Sequence, residues 1–256
     1  MITVGIDLGT AAIKVVFIDK DNILWAKALP TLPQHSEVCE QLLKEGMETV
    51  SVRKEDIAGI ATTGYGKHLV SGSKKKIDEI SANAIGAYVL SERRARTIIN
   101  IGGQDVKVIK VSSEGKVEDF KMNDKCAAGT GRFFEMAGRI LDISVREFGD
   151  LSLQSLSQIS LNSTCAVFAE SEIVSLLSMG KSRNDIIAGL HKSVARRISE
   201  LTDSLYLEEE IYLDGGPAEN KGLNLAIKEE LMRDINVFER PQFTVAFGAA
   251  TIVSEK

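Results

Sequence analysis

The stretch VGIDLGTAAIKVV, residues 4–16, is matched later in the chain by TIINIGGQDVKVI, residues 97–109. Each stretch begins with a run typical of a buried strand, turns at a glycine and resumes the alternation of a second strand. A constant offset of 93 residues aligns related positions: Asp7 with Asn100, Gly9 with Gly102, Thr10 with Gly103, Lys14 with Lys107 and Val15 with Val108. A match that persists at one offset indicates a duplicated structural unit.

The segments that follow the two copies also predict two similar halves. Polar turns, DKDN at 19–22 and SSEGK at 112–116, predict a further strand after each hairpin. Helical patterns come next: SEVCEQLLKEGMETV at 36–50, GRFFEMAGRIL at 131–141, AESEIVSLLSMG at 169–180, and a long helix from about Arg183 to Tyr206. Strands that precede helices predict an α/β fold with two lobes around a cleft, residues 1–94 and 95–256.

Composition excludes several classes of protein. The chain has 256 residues, of which 44% are hydrophobic and 26% charged, as in globular rather than disordered chains. Its net charge of −5 argues against nucleic-acid binding. No uninterrupted apolar run reaches the ~18 residues of a membrane-spanning helix. Three cysteines and an N-terminus that starts in a strand predict neither a disulfide framework nor a signal peptide, so we expect a cytoplasmic protein.

Two corners related by the repeat predict phosphate binding. A turn with glycine at its tip lets backbone N–H groups approach an anion, since no Cβ is in the way. DLGT, residues 7–10, adds the Asp7 carboxylate for a hydrated Mg²⁺ and the Thr10 hydroxyl for phosphate. A single corner of this kind is more often a plain hairpin, but here the pattern recurs.

The second and third corners extend the prediction. NIGGQD, residues 100–105, repeats the glycine turn and adds Gln104 and Asp105, which are candidates to orient a water molecule. In YLDGGPAEN, residues 212–220, a strand ends at the glycines and Pro217 suits the first turn of a helix. Such a helix start favours phosphate or ribose. Neither a P-loop nor a GxGxxG pattern occurs in the sequence, which argues against P-loop and Rossmann proteins.

These motifs resemble those of the actin/Hsp70/sugar-kinase superfamily. GIDLGT, IGGQD and GGPAEN are similar to its phosphate-1, phosphate-2 and adenosine motifs. With TTGYGK at 62–67, NDKCAAGTGRFFE at 123–135 and STCAVFAESE at 163–172, the chain resembles one branch closely. That branch comprises the ATP-dependent activators of 2-hydroxyacyl-CoA dehydratases and the ATPase subunits of benzoyl-CoA reductases. The resemblance implies two ribonuclease H-like lobes around a nucleotide cleft.

The resemblance also implies contacts for ATP or ADP with Mg²⁺. The predicted contacts lie in or beside the glycine corners: Asp7, Gly9, Thr10, Lys14, Gly102, Gly103, Gln104, Asp105, Gly129, Thr130, Gly131, Gly215, Gly216, Pro217, Glu219 and Asn220. Among them, Asp7, Gln104 and Asp105 are the candidate catalytic residues.

Two of the three cysteines, Cys126 and Cys165, are predicted metal ligands. Each is expected at a helix N-terminus, where free N–H groups and the helix dipole favour an anion. A [4Fe–4S] cluster takes four thiolates, and two from each subunit of a twofold dimer would supply them. We therefore expect one cluster shared by a homodimer, as the resemblance also implies. The alternatives are buried thiols or a zinc site, whose usual C-x₂₋₄-C step is absent from the sequence. Cys39, within a helix, is expected to be structural.

The resemblance implies an ATP-hydrolysing iron–sulfur reductase. In similar proteins a reduced ferredoxin or flavodoxin loads the cluster. An ATP-driven rearrangement then passes a low-potential electron to a partner iron–sulfur enzyme, a 2-hydroxyacyl-CoA dehydratase or a related reductase. One alternative is a small-molecule kinase of the same superfamily, which would need an acceptor pocket and no cysteine ligands. Another is a nucleotide-gated binding module.

Two residues depart from the pattern of the branch. Asn100 stands where similar activators begin the phosphate-2 corner with aspartate. Because an amide lacks charge, we expect weaker Mg²⁺ affinity or slower ATP turnover, with Asp7 contributing more of the metal binding. Asn83 stands where dehydratase activators have histidine, so a double-cubane cluster protein is the alternative electron acceptor.

Overall fold

The structure is a computed structural model that describes residues 1–123, 129–157, 159–161, 165–203 and 205–254. The strands within these residues are β1 (Ile2–Leu8), β2 (Ala12–Asp19), β3 (Asn22–Pro30), β4 (Gly59–Thr63), β5 (Lys75–Lys76), β6 (Thr97–Ile101), β7 (Val106–Val111), β8 (Val117–Met122), β9 (Ile211–Asp214) and β10 (Ile235–Val237). The α-helices are α1 (His35–Val50), α2 (Glu79–Leu90), α3 (Gly131–Leu141), α4 (Phe148–Ser152), α5 (Ala166–Ser178), α6 (Arg183–Thr202), α7 (Lys221–Leu231) and α8 (Thr244–Ser254). Short 3₁₀ helices span Lys54–Asp56, Val145–Glu147, Gly216–Glu219 and Pro241–Phe243.

The first sheet has the strand order β3-β2-β1-β4-β5. β1 pairs with β2 in an antiparallel hairpin and with β4 in parallel. Side chains alternate across the sheet, as strand geometry requires. Phe17 of β2 packs with Leu42 of α1 on one face, whereas Val16 packs with Phe247 of α8 on the other. Burial on both faces explains why this part of the sequence is nearly continuous in apolar residues.

The second sheet has the strand order β10-β9-β6-β7-β8. Written from the other end, β8-β7-β6-β9-β10 matches β3-β2-β1-β4-β5 strand for strand. The outer pairs agree as well, because β4–β5 and β9–β10 are both parallel. The predicted duplication and the predicted α/β class are therefore confirmed.

The chain forms two compact units, each discontinuous in sequence. The first unit comprises residues 1–98, 109–119 and 238–256, and the second comprises 99–108 and 120–237. In the second unit, α3 and α4 contribute Phe134 and Phe148 to a core that also contains Leu190 of α6. The C-terminal helix α8 packs against β1 and α2 of the first unit. The division into lobes at 94/95 stays a prediction.

The helix predictions are close to the observed bounds. The helices predicted at 36–50 and 131–141 correspond to α1 and α3, and the one predicted at 169–180 begins three residues earlier, as α5. The helix predicted from about Arg183 to Tyr206 ends at Thr202. Among the described residues, no helix combines the length and the apolar character needed to cross a bilayer.

Candidate functional site

The first glycine corner joins β1 to β2 and places a lysine on the Asp7 carboxylate. Asp7 and Lys14 face each other across the hairpin, and Lys14 Nζ donates to Asp7 Oδ2 at 2.9 Å. Because Asp7 is only 3% exposed, the ammonium compensates a charge that burial would penalise. Gly9 leaves room here, since a Cβ would lie 3.1 Å from Lys14 Nζ. Thr10 lies half-buried in the same turn.

Two buried oxygen atoms beside this corner lack a hydrogen-bond partner within the described part of the chain. They are Asp7 Oδ1 and Thr63 Oγ1, and the two residues are register neighbours on β1 and β4. Gly64 follows with φ +82°, and a Cβ there would lie 2.6 Å from Asp7 Oδ1. Buried oxygens of this kind normally bind water, an ion or a ligand. The oxygen donors therefore fit a hydrated Mg²⁺.

Sequence reasoning missed Thr63 and Gly64 as site residues. The TTGYGK segment supports the family resemblance, but its sequence suggests no role for the hydroxyl. The available signal is a polar residue followed by glycine at the end of a strand, a pattern that recurs at Asp214 and Gly215. Only the parallel register of β1 and β4 places Thr63 beside Asp7.

The second glycine corner joins β6 to β7 and is held by the start of α3. The N–H groups of Gly131 and Arg132 donate to the carbonyls of Gly102 and Gly103, at 2.9 and 3.0 Å. A Cβ at Gly131 would also lie 3.7 Å from Pro217 Cγ. The structure thus brings together three of the predicted segments of the second unit, through Gly102, Gly103, Gly131 and Pro217. Gly129, with φ +92°, and the buried Thr130 lead into this helix.

The polar residues of the second corner form two pairs. Lys107 Nζ donates to Asp105 Oδ1 at 2.6 Å, and both side chains are buried. Asn100 Nδ2 donates to Asp214 Oδ1, also at 2.6 Å, and this pair too is buried. Gln104 is exposed. The candidate Asp105 is therefore engaged by a lysine, whereas the side chain of Gln104 faces solvent.

The third corner, after β9, contains a glycine that the backbone requires. Gly215 has φ +90°, and a Cβ there would overlap the carbonyl oxygen of Ile101. Gly216 starts a 3₁₀ helix with Pro217 in its first turn, as predicted. Glu219 is exposed at the end of this turn.

Asn220 ends the motif as the N-cap of α7. Its Oδ1 accepts a hydrogen bond from Leu223 N–H at 3.0 Å, so the amide stabilises the helix start. Its Nδ2 lies 3.0 Å from His191 Nε2, and because the amide nitrogen donates, the imidazole nitrogen accepts. Burial lowers the pKa of His191 to about 3, which keeps the ring neutral. A cavity of about 430 Å³ lies beside His191 and Gly222.

The structure describes two of the three cysteines. Cys165 is half-buried, has a free thiol and precedes α5 as its N-cap residue, without a side-chain capping bond. The prediction for Cys126 lies outside the described residues. The helix that follows in sequence, α3, begins at Gly131, as predicted from GRFFEMAGRIL. Its first N–H groups bind the carbonyls of the second corner.

Cys39 is buried in α1, as expected for a structural residue, and burial raises the pKa of its thiol to about 11. Across the residues that the structure describes, no group of three or more His, Cys, Asp or Glu side chains is placed to hold a metal ion. The predicted ligands from a single chain number two, and one of these lies outside the described residues.

Comparison with known proteins identifies close relatives. The family described as the BadF/BadG/BcrA/BcrD ATPase family matches residues 4–253. The activator of lactoyl-CoA dehydratase from Anaerotignum propionicum is 42% identical over 255 residues, covering 100% of this chain and 98% of the relative. The fold also matches the activator of the 2-hydroxyisocaproyl-CoA dehydratase from Clostridium difficile with bound ADPNP. That structure has a TM-score of 0.94 at 38% identity, covering 99% of this chain and 94% of the other.

Two further solved structures have a fold similar to that of this chain. Component A of the (R)-2-hydroxyglutaryl-CoA dehydratase from Acidaminococcus fermentans has a TM-score of 0.94 at 37% identity, covering 98% of this chain and 97% of the other. A ROK family glucokinase from Streptomyces griseus has a TM-score of 0.63 at 14% identity over the full length of both chains. The glucokinase likeness concerns the fold alone, and it agrees with the predicted actin/Hsp70/sugar-kinase type.

Proposed function

The chain belongs to the BadF/BadG/BcrA/BcrD ATPase family, and we propose that it hydrolyses ATP to deliver a low-potential electron to a partner iron–sulfur enzyme. The partner class is a 2-hydroxyacyl-CoA dehydratase or a related reductase, because similar proteins are named as activators of such dehydratases. The observation that carries the ATPase part is Asp7 Oδ1, buried beside Thr63 with no hydrogen-bond partner among the described residues.

In this proposal the first corner binds Mg²⁺ and phosphate. Asp7 and Thr63 hold waters of the metal ion, while Gly9, Thr10 and Lys14 contact the phosphates. When bound, Mg²⁺ neutralises the negative charge that develops on the phosphoryl oxygens. Lys14 adds a positive charge that its 2.9 Å bond to Asp7 already holds in place. Both effects are larger at a buried site than in water, since the local dielectric is lower.

We assign the remaining predicted nucleotide contacts to the second unit. Gly102, Gly103 and the segment 129–131 supply backbone groups, and the segment 215–220 faces the nucleoside. Of the two candidates for orienting the hydrolytic water, Gln104 is the better supported, because its side chain is exposed and the Asp105 carboxylate is bonded to Lys107.

The electron would be held on one [4Fe–4S] cluster in a homodimer, with Cys126 and Cys165 of each chain as ligands. When bound, such a cluster supplies one-electron transfer at low potential. The free thiol of Cys165 suits this role. Next to it, α5 exposes Val167 and Phe168, at 70% and 69%, together with Val174. Apolar side chains this exposed favour burial against another protein surface, and a twofold contact would place two Cys165 residues close together.

The electron donor in this proposal is a ferredoxin or flavodoxin, and the acceptor is an iron–sulfur enzyme. Asn83, which suggests a double-cubane cluster protein as an alternative acceptor, is buried within α2 at 1% exposure. A buried side chain does not contact a docking partner directly. The substitution therefore gives little reason to prefer the alternative over a dehydratase.

Metal analysis of the full chain, purified without oxygen, tests the proposal. We expect about four iron and four sulfide ions per two chains, together with Mg²⁺-dependent ATP hydrolysis. Cys126→Ser and Cys165→Ser should each lose the iron, because either substitution removes one thiolate from both chains and leaves two of the four ligands. Cys39→Ala is the matched control and should retain the iron, since Cys39 is buried in α1.

The possible outcomes separate the two parts of the proposal. Protein without iron, even after reconstitution, but with ATP hydrolysis would exclude the reductase and leave a kinase or a nucleotide-gated module. Iron-loaded protein that does not bind Mg²⁺ and ATP would exclude the ATPase assignment.

A further inference from the structure

The Asn100 amide is held in one orientation by a buried carboxylate. Asn100 lies on β6 and Asp214 on the neighbouring strand β9. Asn100 Nδ2 donates to Asp214 Oδ1 at 2.6 Å, across 114 residues of sequence. A carboxylate accepts hydrogen bonds and an amide NH₂ group donates them, so the pairing fixes which end of the amide faces Asp214. Asn100 Oδ1, the acceptor atom, is consequently directed away from Asp214.

The duplication shows which residue beside the first corner corresponds to Asp214. The offset of 93 residues aligns Asn100 with Asp7, and Asp7 pairs with Thr63 on the next strand. Thr63 is followed by Gly64, and a Cβ added there would lie 2.6 Å from the carbonyl oxygen of Leu8. The first corner therefore has an aspartate on the central strand and a threonine on its parallel neighbour.

The second corner and the third-corner residues beside it have the same backbone arrangement. Gly215 follows Asp214, and its Cβ would overlap the carbonyl oxygen of Ile101, which the offset aligns with Leu8. Asp214 thus occupies the place of Thr63, and the carboxylate of this corner stands on β9 instead of β6.

We propose that Asn100 and Asp214 act together as the carboxylate of the phosphate-2 corner. Asn100 Oδ1 accepts a hydrogen bond from a water of the nucleotide-bound Mg²⁺. Asp214 supplies the negative charge through the hydrogen bond that it accepts from Asn100 Nδ2. The same bond keeps the amide from turning its NH₂ group toward that water. Asp214 is a positioning residue, since it acts through Asn100. This inference rests on the proposed Mg²⁺ and ATP site, and it replaces the expectation that Asn100 weakens metal binding.

Calorimetric titration of the full chain with ADPNP, with Mg²⁺ and with EDTA, tests the pair. The quantity measured is the affinity for ADPNP in Mg²⁺ divided by the affinity in EDTA. This ratio isolates the contribution of the metal. Asp214→Asn should lower this ratio about tenfold, as is typical when the partner of a metal-facing group is removed. The affinity in EDTA should stay within about twofold of the wild-type value. A purely structural defect would instead lower the affinity in both conditions.

The exchanged variant provides the sharpest control. Asn100→Asp combined with Asp214→Asn moves the carboxylate back to β6 and should restore the ratio to near the wild-type value. Asn100→Asp alone places two carboxylates in contact and should lower thermal stability. If Asp214→Asn does not fold, Asp214→Thr supplies the residue type of the first corner and should show the same loss of the Mg²⁺ effect.

Three outcomes would overturn the pair. The first is an Asp214→Asn variant with an unchanged affinity ratio. The second is an equal loss of affinity in Mg²⁺ and in EDTA, which indicates a structural role. The third is an exchanged variant that binds no better than Asp214→Asn. A wild-type protein that binds ADPNP equally with and without Mg²⁺ is a different result, because it would exclude the metal site of the proposed function itself.

Discussion

The two glycine corners share one strand order but carry their carboxylates on different strands. In the first corner the central strand β1 holds Asp7 and its parallel neighbour β4 holds Thr63. In the second corner the central strand β6 holds Asn100 and β9 holds Asp214. The negative charge is on the central strand in the first corner and on the neighbouring strand in the second. The backbone arrangement of the glycine turns is the same.

The two corners also differ in the position of the carboxylate that pairs with their lysine. Lys14 pairs with Asp7 across the hairpin at 2.9 Å, whereas Lys107 pairs with Asp105, which directly precedes its own strand, at 2.6 Å. The two corners therefore keep the same glycine turns and differ in the positions of their charges. A glycine at positive φ beside a carbonyl has no substitute, but a charge can be supplied from any neighbouring position.

The largest expected difference between the corners concerns their lysines. Lys107→Met should lower the free energy of unfolding by about 3–5 kcal/mol, because the Asp105 carboxylate stays buried without its ammonium partner. Lys14→Met should cost less, since the Lys14 side chain is 19% exposed and that of Lys107 is 3% exposed. Urea denaturation measures both values.

Lys116→Met is the matched control for the lysine comparison. Lys116 pairs with Glu114 at 2.7 Å on the surface, where both side chains are exposed, and its loss should leave stability unchanged. If Lys14→Met cost as much as Lys107→Met, burial would not be what distinguishes the two ion pairs.

The next largest effect concerns Gly64, the glycine that lies beside the first corner. Gly64 and Gly72 have φ of +82° and +81°, so alanine strains the backbone equally at both positions. A Cβ at Gly64 would lie 2.6 Å from Asp7 Oδ1, whereas a Cβ at Gly72 would meet nothing within 4 Å. Gly64→Ala should therefore lower the free energy of unfolding by about 1–3 kcal/mol more than Gly72→Ala does.

ADPNP titration completes the glycine comparison. Gly64→Ala should also abolish nucleotide binding, because the added methyl group occupies the space beside the Asp7 carboxylate. Gly72→Ala should bind as the wild type does. Equal stability and equal binding for the two variants would show that the space beside Asp7 has no function.

The local pattern of the sequence was sufficient for most of the fold. Apolar spacing predicted α1 to within one residue of its start, and the glycine turns marked both hairpins. These features depend on residues that are close in sequence. The contact of α3 with Gly102 and Gly103 was not predicted, because these hydrogen bonds join segments that are distant in sequence.

The candidate site was predicted less completely, for the same physical reason. Asp7, Gly9 and Lys14 belong to one hairpin, so the sequence places them together. Thr63 and Asp214 join their corners from neighbouring strands that are distant in sequence, and such strand neighbours depend on tertiary packing. The sequence therefore indicated that Asn100 lacks a charge but gave no sign that Asp214 lies beside it.

A smaller effect is expected at the hydroxyl of Thr63. Thr63→Val should lower ATP turnover about tenfold if this oxygen holds a water of the metal site. Thermal stability should stay the same or rise, because the buried hydroxyl has no partner among the described residues. Thr62→Val is the matched control: its Oγ1 donates to the Lys67 carbonyl at 3.0 Å, so stability should fall while turnover is retained. Unchanged turnover in Thr63→Val would remove Thr63 from the site.

The smallest effect is a pH dependence in the second unit, where the imidazole of His191 supports Asn220 behind the third corner. The folded-state pKa of His191 is about 3, below the ordinary value of about 6.5. The unfolded chain therefore takes up the proton first as the pH falls. The stability contributed by the neutral ring is complete above about pH 6.5 and declines toward pH 3. Between pH 7.5 and 5.5 the loss should be about 1.4 kcal/mol.

His191→Phe removes the titrating group while keeping a ring that packs against Phe134 and Phe148. Urea denaturation at several pH values should show a flatter profile for this variant, by about 1.4 kcal/mol between pH 7.5 and 5.5. His68→Gln, at an exposed histidine, should keep the wild-type slope. If His191→Phe also kept that slope, the ring would be protonated in the folded protein. Asn220 Nδ2 would then face a second donor instead of an acceptor, and the imidazole would not be what holds the N-cap of α7 in place.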